Sequence, residues 1–211
     1  MVGVLARQLA LLLKSGALPV PVEIVEKRTI GPTLGADSIK KSQTAGIIGL
    51  VLVVLFVIVL YKLPGVIAGF SLVLYSVLLL SVMALIKATL TLPGILGVVL
   101  SIGMCVDSNI IIYERLKEEL ASGKTLRASI SAGFSRALWT IVDANVTTLI
   151  AAAVLFWKGT GSIRGFAVTL SLGIVISMFT AITYTRFLLK NIAESGLFTN
   201  PALYGWKGAA R

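Results

Sequence analysis

The sequence predicts an all-α integral membrane protein, a helical bundle of five transmembrane spans with a small N-terminal α+β remnant. Three observations carry that prediction. The 211 residues are 57% hydrophobic and only 13% charged, more apolar than a soluble domain of this size requires. The apolar residues fall into five long runs. The formal charge of +10 resides mostly in loops and ends, which suits lipid headgroups and argues against nucleic acid.

The elements follow in order. Leu5, Leu9, Leu12 and Leu13 share one helical face, and Gly16 is a plausible stop. Val20, Val22 and Ile24 alternate with Pro21 and Glu23, the pattern of an edge strand. Residues 1 to about 30 thus read as a soluble α+β fragment too poor in apolar residues to bury a core alone. A floppy terminal tail is the alternative. The run Leu9 to Leu13 is too short for a secretory signal, so the chain reads as cut from something larger. Gly31 to Gly35, GPTLG, reads as a tight polar linker.

The apolar runs are Ala45–Tyr61, Gly65–Ile86, Leu92–Tyr113, Trp139–Trp157 and Gly165–Leu189. Each can cross roughly 30 Å of hydrocarbon at about 1.5 Å per residue. The fourth is bracketed by tryptophans 18 residues apart, about 27 Å of helix, as interfacial anchors require. The organisation is therefore residues 1–44 before the membrane, 45–190 as the bundle and 191–211 as a tail.

The connector 114–138 is amphipathic. Leu116 and Leu120 are four apart, as are Leu126, Ile130 and Phe134, and Gly123 divides the halves. This predicts two short helices in the headgroup layer, or a helix against a soluble partner. Five spans put the two ends on opposite sides. Basic residues near the span ends are nearly balanced, with a lean that places the connector inside, through Arg115, Lys117, Lys124, Arg127 and Arg136.

Function is sought first at Asp107 and Asp143, because a carboxylate at membrane depth is costly and by default marks a functional site. Both fall about 7 Å from the bilayer centre, in the connector-side half of consecutive antiparallel spans. They can approach each other or face one polar cavity. Two acids there cannot both ionise cheaply, since desolvation and mutual repulsion oppose the second charge, and this suits uptake and release of protons. Asn109, Asn145, Thr147 and Thr148 supply uncharged hydrogen-bonding partners. The competing reading is a pair of interhelical clamps without transport. Gly65 and Gly69, and Gly94, Gly97, Ser101 and Gly103, mark tight helix contacts.

Other chemistry is excluded. There is no histidine, and Cys105 is the single cysteine, so neither a Ser/His/Asp triad nor an intrachain disulfide can form and no metal site is expected. Gly123-Lys124-Thr125 lacks the earlier glycine of a phosphate-binding loop, since Glu118 stands there, and Gly159-Thr160-Gly161 lacks the third glycine of a dinucleotide turn. No nucleophile–base set points to an enzyme.

Longer motifs carry a resemblance. Gly16-Ala-Leu-Pro19, GPTLG at 31–35, GMCVDSNIIIYERLKEEL at 103–120, DANVTT at 143–148 and GSIRGFA at 161–167 together resemble the SecD family of the bacterial preprotein export machinery, in the resistance-nodulation-division superfamily. Ser108 stands where that family more often has alanine. The resemblance implies the latter part of a six-helix bundle, preceded in the family by a first membrane helix and a large exported-side domain. It implies a cell-membrane subunit that assists late preprotein translocation at the expense of the proton motive force. Protons would be the coupling ion, with no cofactor. The implied partners are SecF, the SecYEG channel, a YajC-like small subunit, the translocating preprotein and membrane lipid. Asp107 and Asp143 would carry the protons with Asn109, Asn145 and Thr148 around them, and Arg164 would pair with headgroups or a partner. The N-terminal segment would be extracytoplasmic, with the connector and C-terminus cytoplasmic. The rivals are a proton-coupled exporter of the same superfamily, which would share the acids, and a structural scaffold of a membrane complex. Conservative neutralisation of the acids separates scaffold from relay.

Overall fold

The computed structural model describes residues 32–195 and 200–205. The helix expected near Leu5–Leu13 and the strand near Val20–Ile24 lie outside the described residues, as does most of the tail. The bundle belongs to the unit Asp37–Arg211. All described elements are helical, and five helices are long and apolar enough to cross a membrane.

Helix α1 (Pro32–Tyr61) opens with proline. A proline at the first helical position lacks only an N–H that would be unbonded anyway. The segment expected as a tight linker at 31–35 is therefore helical from Pro32 onward. Polar residues there continue the helix beyond the apolar run, with Asp37 and Lys41 paired at 2.8 Å one turn apart.

An elbow joins α1 to α2 (Leu63–Leu85). Lys62 takes φ 52°, and Pro64 occupies the first turn of α2. At Gly65 a Cβ would meet the Val57 carbonyl oxygen at 2.4 Å and the Ile58 Cα at 2.6 Å. Only glycine allows this backbone approach. Helix α1 is otherwise peripheral, with 11% of its span buried against 44% for α3. Its remaining surface is left to lipid or to neighbouring helices.

Helix α3 (Leu92–Ala121) starts at Thr91, whose hydroxyl accepts from the Gly94 N–H at 3.1 Å. Helix α4 (Leu126–Lys158) returns antiparallel to it. Helix α5 (Gly161–Phe179) crosses again, passes through a π-helical turn at Thr180–Thr185, and continues as α6 (Arg186–Glu194). A 3-10 turn at Pro201–Tyr204 follows. Helix α3 is the centre, packed most extensively on α5 and next on α4, while α2 closes the bundle against the π turn. Tyr75, Cys105, Ile112, Tyr113, Leu116, Ile141 and Leu189 form the main core. Trp139 and Trp157 are exposed, as interfacial anchors would be.

A further expectation is corrected. The connector does not form separate helices in the headgroup layer. Helix α3 runs unbroken to Ala121 and α4 begins at Leu126, so only 122–125, with Gly123 at φ 84°, forms the turn. The apolar stripe has another use: Leu116, Leu120, Ile130 and Phe134 are buried against the bundle. Gly133 makes this possible, because a Cβ there would lie 3.0 Å from the Leu116 nitrogen. The fifth run is not one uniform α-helix. It passes through a π turn at Thr180–Thr185, across which the Thr185 hydroxyl lies 3.3 Å from the Thr180 carbonyl.

Glu119 closes the α3–α4 hairpin. Its carboxylate is 3% exposed and pairs with Lys124 and, at 2.9 Å, with Arg136. Two cations on one carboxylate tie the turn to both helices. Glu119→Ala is expected to loosen residues 122–125 and increase proteolytic cleavage there several-fold in detergent. Unchanged cleavage would show that apolar packing alone holds the turn.

Candidate functional site

Asp107 lies 15 residues after the start of α3, and Asp143 lies 15 residues before the end of α4. Counted from the turn at 122–125 that joins these antiparallel neighbours, Asp107 lies about 21 Å and Asp143 about 26 Å along its helix, so the two levels differ by about 5 Å. Both side chains are exposed on the bundle surface. Neither forms a hydrogen bond or ion pair with a described residue. The structure thus places the two acids at similar levels on the outside of this bundle, each without a partner among the described residues.

Their surroundings are built for close approach. Gly103 is one turn before Asp107, and a Cβ added there would meet nothing within 4 Å. On α4, Ala144 and Thr147 are exposed next to Asp143, and Ala151 is exposed two turns further on. Thr147 donates to the Asp143 carbonyl at 3.1 Å and Thr148 to the Ala144 carbonyl at 3.1 Å. These bonds are within the helix, so the carboxylate itself is left available.

Asn109 and Asn145 point elsewhere. A two-residue step turns a helix by about 200°, which carries each asparagine to the face opposite its acid. Asn109 is fully buried. Its amide donates to the Cys105 carbonyl at 3.1 Å, and its Oδ1 accepts from the Thr185 hydroxyl at 2.8 Å. Thr185 in turn lies 2.8 Å from the Ser71 hydroxyl. With Thr185 donating to Asn109, Ser71 supplies the proton to Thr185. The chain Ser71–Thr185–Asn109 therefore joins α2, the π turn and α3 inside the bundle. Asn145 is 5% exposed and donates to the Ile141 carbonyl at 2.7 Å. Its Oδ1 is buried without a partner, an acceptor such as buried sites seldom leave unused.

A second polar contact lies further along. Tyr75 donates to the Ser101 hydroxyl at 2.6 Å, and Ser101 donates to the Val98 carbonyl at 2.9 Å. Gly173 of α5 sits directly against this pair. Arg164 donates through Nε to the Gly159 carbonyl at 2.8 Å, bracing the α4–α5 turn. Gly165 lies against Thr91 and Gly97 against Thr169, so the 161–167 motif seats α5 on the start of α3.

Sequence reasoning missed Ser71, Tyr75, Thr180, Thr185 and Glu119. The local signal was weak, because Thr180 and Thr185 stand in a run that also holds Thr169, Ser171, Ser177, Thr183, Tyr184 and Arg186. Among the described residues no cluster of three metal-ligating side chains forms.

Fold and site together define a polytopic helical membrane protein with one exposed acid on each of two adjacent antiparallel apolar helices. Residues 14–195 match the family model of the protein export membrane protein SecD/SecF, C-terminal, and the chain belongs to this family. It is 58% identical over 202 residues to the protein translocase subunit SecD of Acidaminococcus fermentans, covering 96% of this chain and 48% of that protein. It is 54% identical to that of Synechocystis sp., covering 94% and 43%. The chain thus spans about half the length of these relatives. The crystal structure of SecDF, a translocon-associated membrane protein from Thermus thermophilus, matches with a TM-score of 0.80 at 44% identity, covering 90% of this chain and 27% of that one.

Proposed function

We propose that this chain is the membrane part of a SecD subunit of the Sec translocase, in which Asp107 and Asp143 take up and release the protons that drive late preprotein translocation. The single observation that carries the reading is the pair of exposed acids, without partners among the described residues, at similar levels of consecutive apolar helices. A charged aspartate near the bilayer centre costs about 3 kcal/mol on the insertion scale, so two of them facing lipid would waste roughly 6 kcal/mol. That cost is avoided where the face is covered by another polar helix surface or where the acids bind protons. The small residues Gly103, Ala144 and Ala151 fit close packing of a second bundle over the same face. SecF, with a related bundle, is the partner proposed for it.

In this reading Thr147 and Thr148 border the Asp143 site. Asn109 and Asn145 act from the opposite faces, transmitting a change of helix position rather than touching the protons. Arg164 has a positioning role at the exported-side turn. The connector and the C-terminus lie in the cytoplasm, SecYEG receives the conformational change, and a YajC-like subunit completes the assembly. The chemistry is proton transfer and conformational change, with no covalent substrate step and no cofactor.

The test uses the full-length parent gene in cells depleted of their own SecD. Asp107→Asn and Asp143→Asn are expected to abolish export of a reporter preprotein while co-purification with SecF persists. Normal export would make the acids packing elements and overturn the relay.

A further inference from the structure

We propose that the groove between the start of α4 and α6 binds an anionic phospholipid, its phosphodiester held by Arg127, Arg186 and Lys190 and an acyl chain seated in the apolar pocket beneath. Two cavities meet there. The outer one, of about 120 Å³, is lined by Arg127, Ser131, Arg186, Lys190 and Glu194 among others. The inner one, of about 130 Å³, is lined by the apolar Ile112, Phe134, Leu138, Ile141 and Ile182 together with Ser135 and Arg186. Arg186 borders both, so a basic compartment adjoins one walled mainly by apolar side chains.

The charges are available. Arg186 forms no ion pair among the described residues. Arg127 donates to the Glu194 backbone carbonyl at 3.4 Å, which leaves its charge uncompensated. Lys190 stands 3.9 Å from the Glu194 carboxylate, both largely exposed, a separation of little consequence in water. Three cations against one carboxylate leave a net charge of two for an anion.

The level is also right. The inner cavity draws on Phe134 to Ile141 of α4, the stretch that contains the exposed anchor Trp139. Ser131 lies eight residues further toward the helix start, about 12 Å out. The apolar compartment therefore sits at the edge of the hydrocarbon and the basic one in the headgroup layer. Basic pockets between helices at this depth select anionic headgroups. A free anion would need only the outer compartment; a lipid uses both.

The test is native mass spectrometry of the purified chain from nanodiscs with equal phosphatidylglycerol and phosphatidylcholine. Preferential retention of phosphatidylglycerol is expected. Combined Arg127→Gln, Arg186→Gln and Lys190→Gln should reduce it at least tenfold, and Lys190→Gln alone, which breaks no interhelix bond, several-fold. Ile182→Trp should fill the inner compartment and also reduce retention with every charge in place. Arg115→Gln, outside the groove and paired with Glu118, should leave it unchanged. Equal losses in the Arg115 variant would indicate diffuse surface charge and overturn the proposal. So would full displacement of the lipid by millimolar inorganic phosphate, which would identify a free-phosphate site.

Discussion

Gly173→Val is expected to destabilise the bundle by about 3 kcal/mol, at the upper end of ordinary overpacking, seen as a lower midpoint of thermal unfolding in detergent. A Cβ at Gly173 would lie 2.4 Å from both Cβ and Oγ of Ser101 and 2.9 Å from the Tyr75 hydroxyl. Ser101 is fully buried on α3, and the Tyr75 ring is fully buried on α2. Neither can swing away without entering another helix. Relief must come from separating α3 and α5, the most extensively packed pair in the bundle. The Tyr75–Ser101 hydrogen bond would be lost with it, adding about 0.6 kcal/mol, an average value for such bonds in membranes. Two variants check the cause. Gly103→Ala, where the new methyl meets nothing within 4 Å, should leave the midpoint unchanged. Ser101→Gly combined with Gly173→Ala should cost less than the two single substitutions summed, since the steric conflict is shared. Additive losses would mean that Gly173 is needed for some reason other than space.

What the sequence discloses and what it conceals follow from the range of the forces. Long apolar runs are a property of consecutive residues, so all five long apolar helices were legible in the stretch 45–189. Asp107 and Asp143 were legible because a charge in such a run is costly wherever the neighbours lie. The internal hydrogen bonds were not. Ser71 and Thr185 are 114 residues apart and Asn109 and Thr185 are 76 apart, and nothing local couples them. The connector was misread for a related reason. Amphipathic helices at a membrane surface and helices continuing out of the membrane share the same stripe, and only the burial of Leu116 against Gly133 distinguishes them. The same ambiguity hid which way each polar residue of α3 points. Depth can be counted along a chain, but facing depends on which side of the helix its neighbours occupy.

That difference in facing gives the second large effect, a separation of stability from transport between two residues only two positions apart. Asp107 is exposed and partnerless, so Asp107→Asn should shift stability by less than about 0.5 kcal/mol, as surface changes usually do. Asn109 is buried, accepts from Thr185 and donates to Cys105. Asn109→Ala deletes both bonds, leaves the Thr185 hydroxyl to its longer 3.3 Å bond with the Thr180 carbonyl, and opens a void between α2 and α3. A buried polar group stripped of its partner costs about 1–3 kcal/mol. Membrane hydrogen bonds average nearer 0.6 kcal/mol, so roughly 2 kcal/mol is expected once the void is included. In the full-length subunit the two variants should therefore fail differently. Asn109→Ala should lower the amount of folded protein, with export falling in step with that amount. Asp107→Asn should abolish export at undiminished amount and undiminished thermal midpoint. Quantitative immunoblotting beside an export assay reads both at once. If Asp107→Asn instead lowers the amount and the midpoint as Asn109→Ala does, the acid is a structural group in the assembled translocase, and the proton-carrying role passes to Asp143 or to the partner.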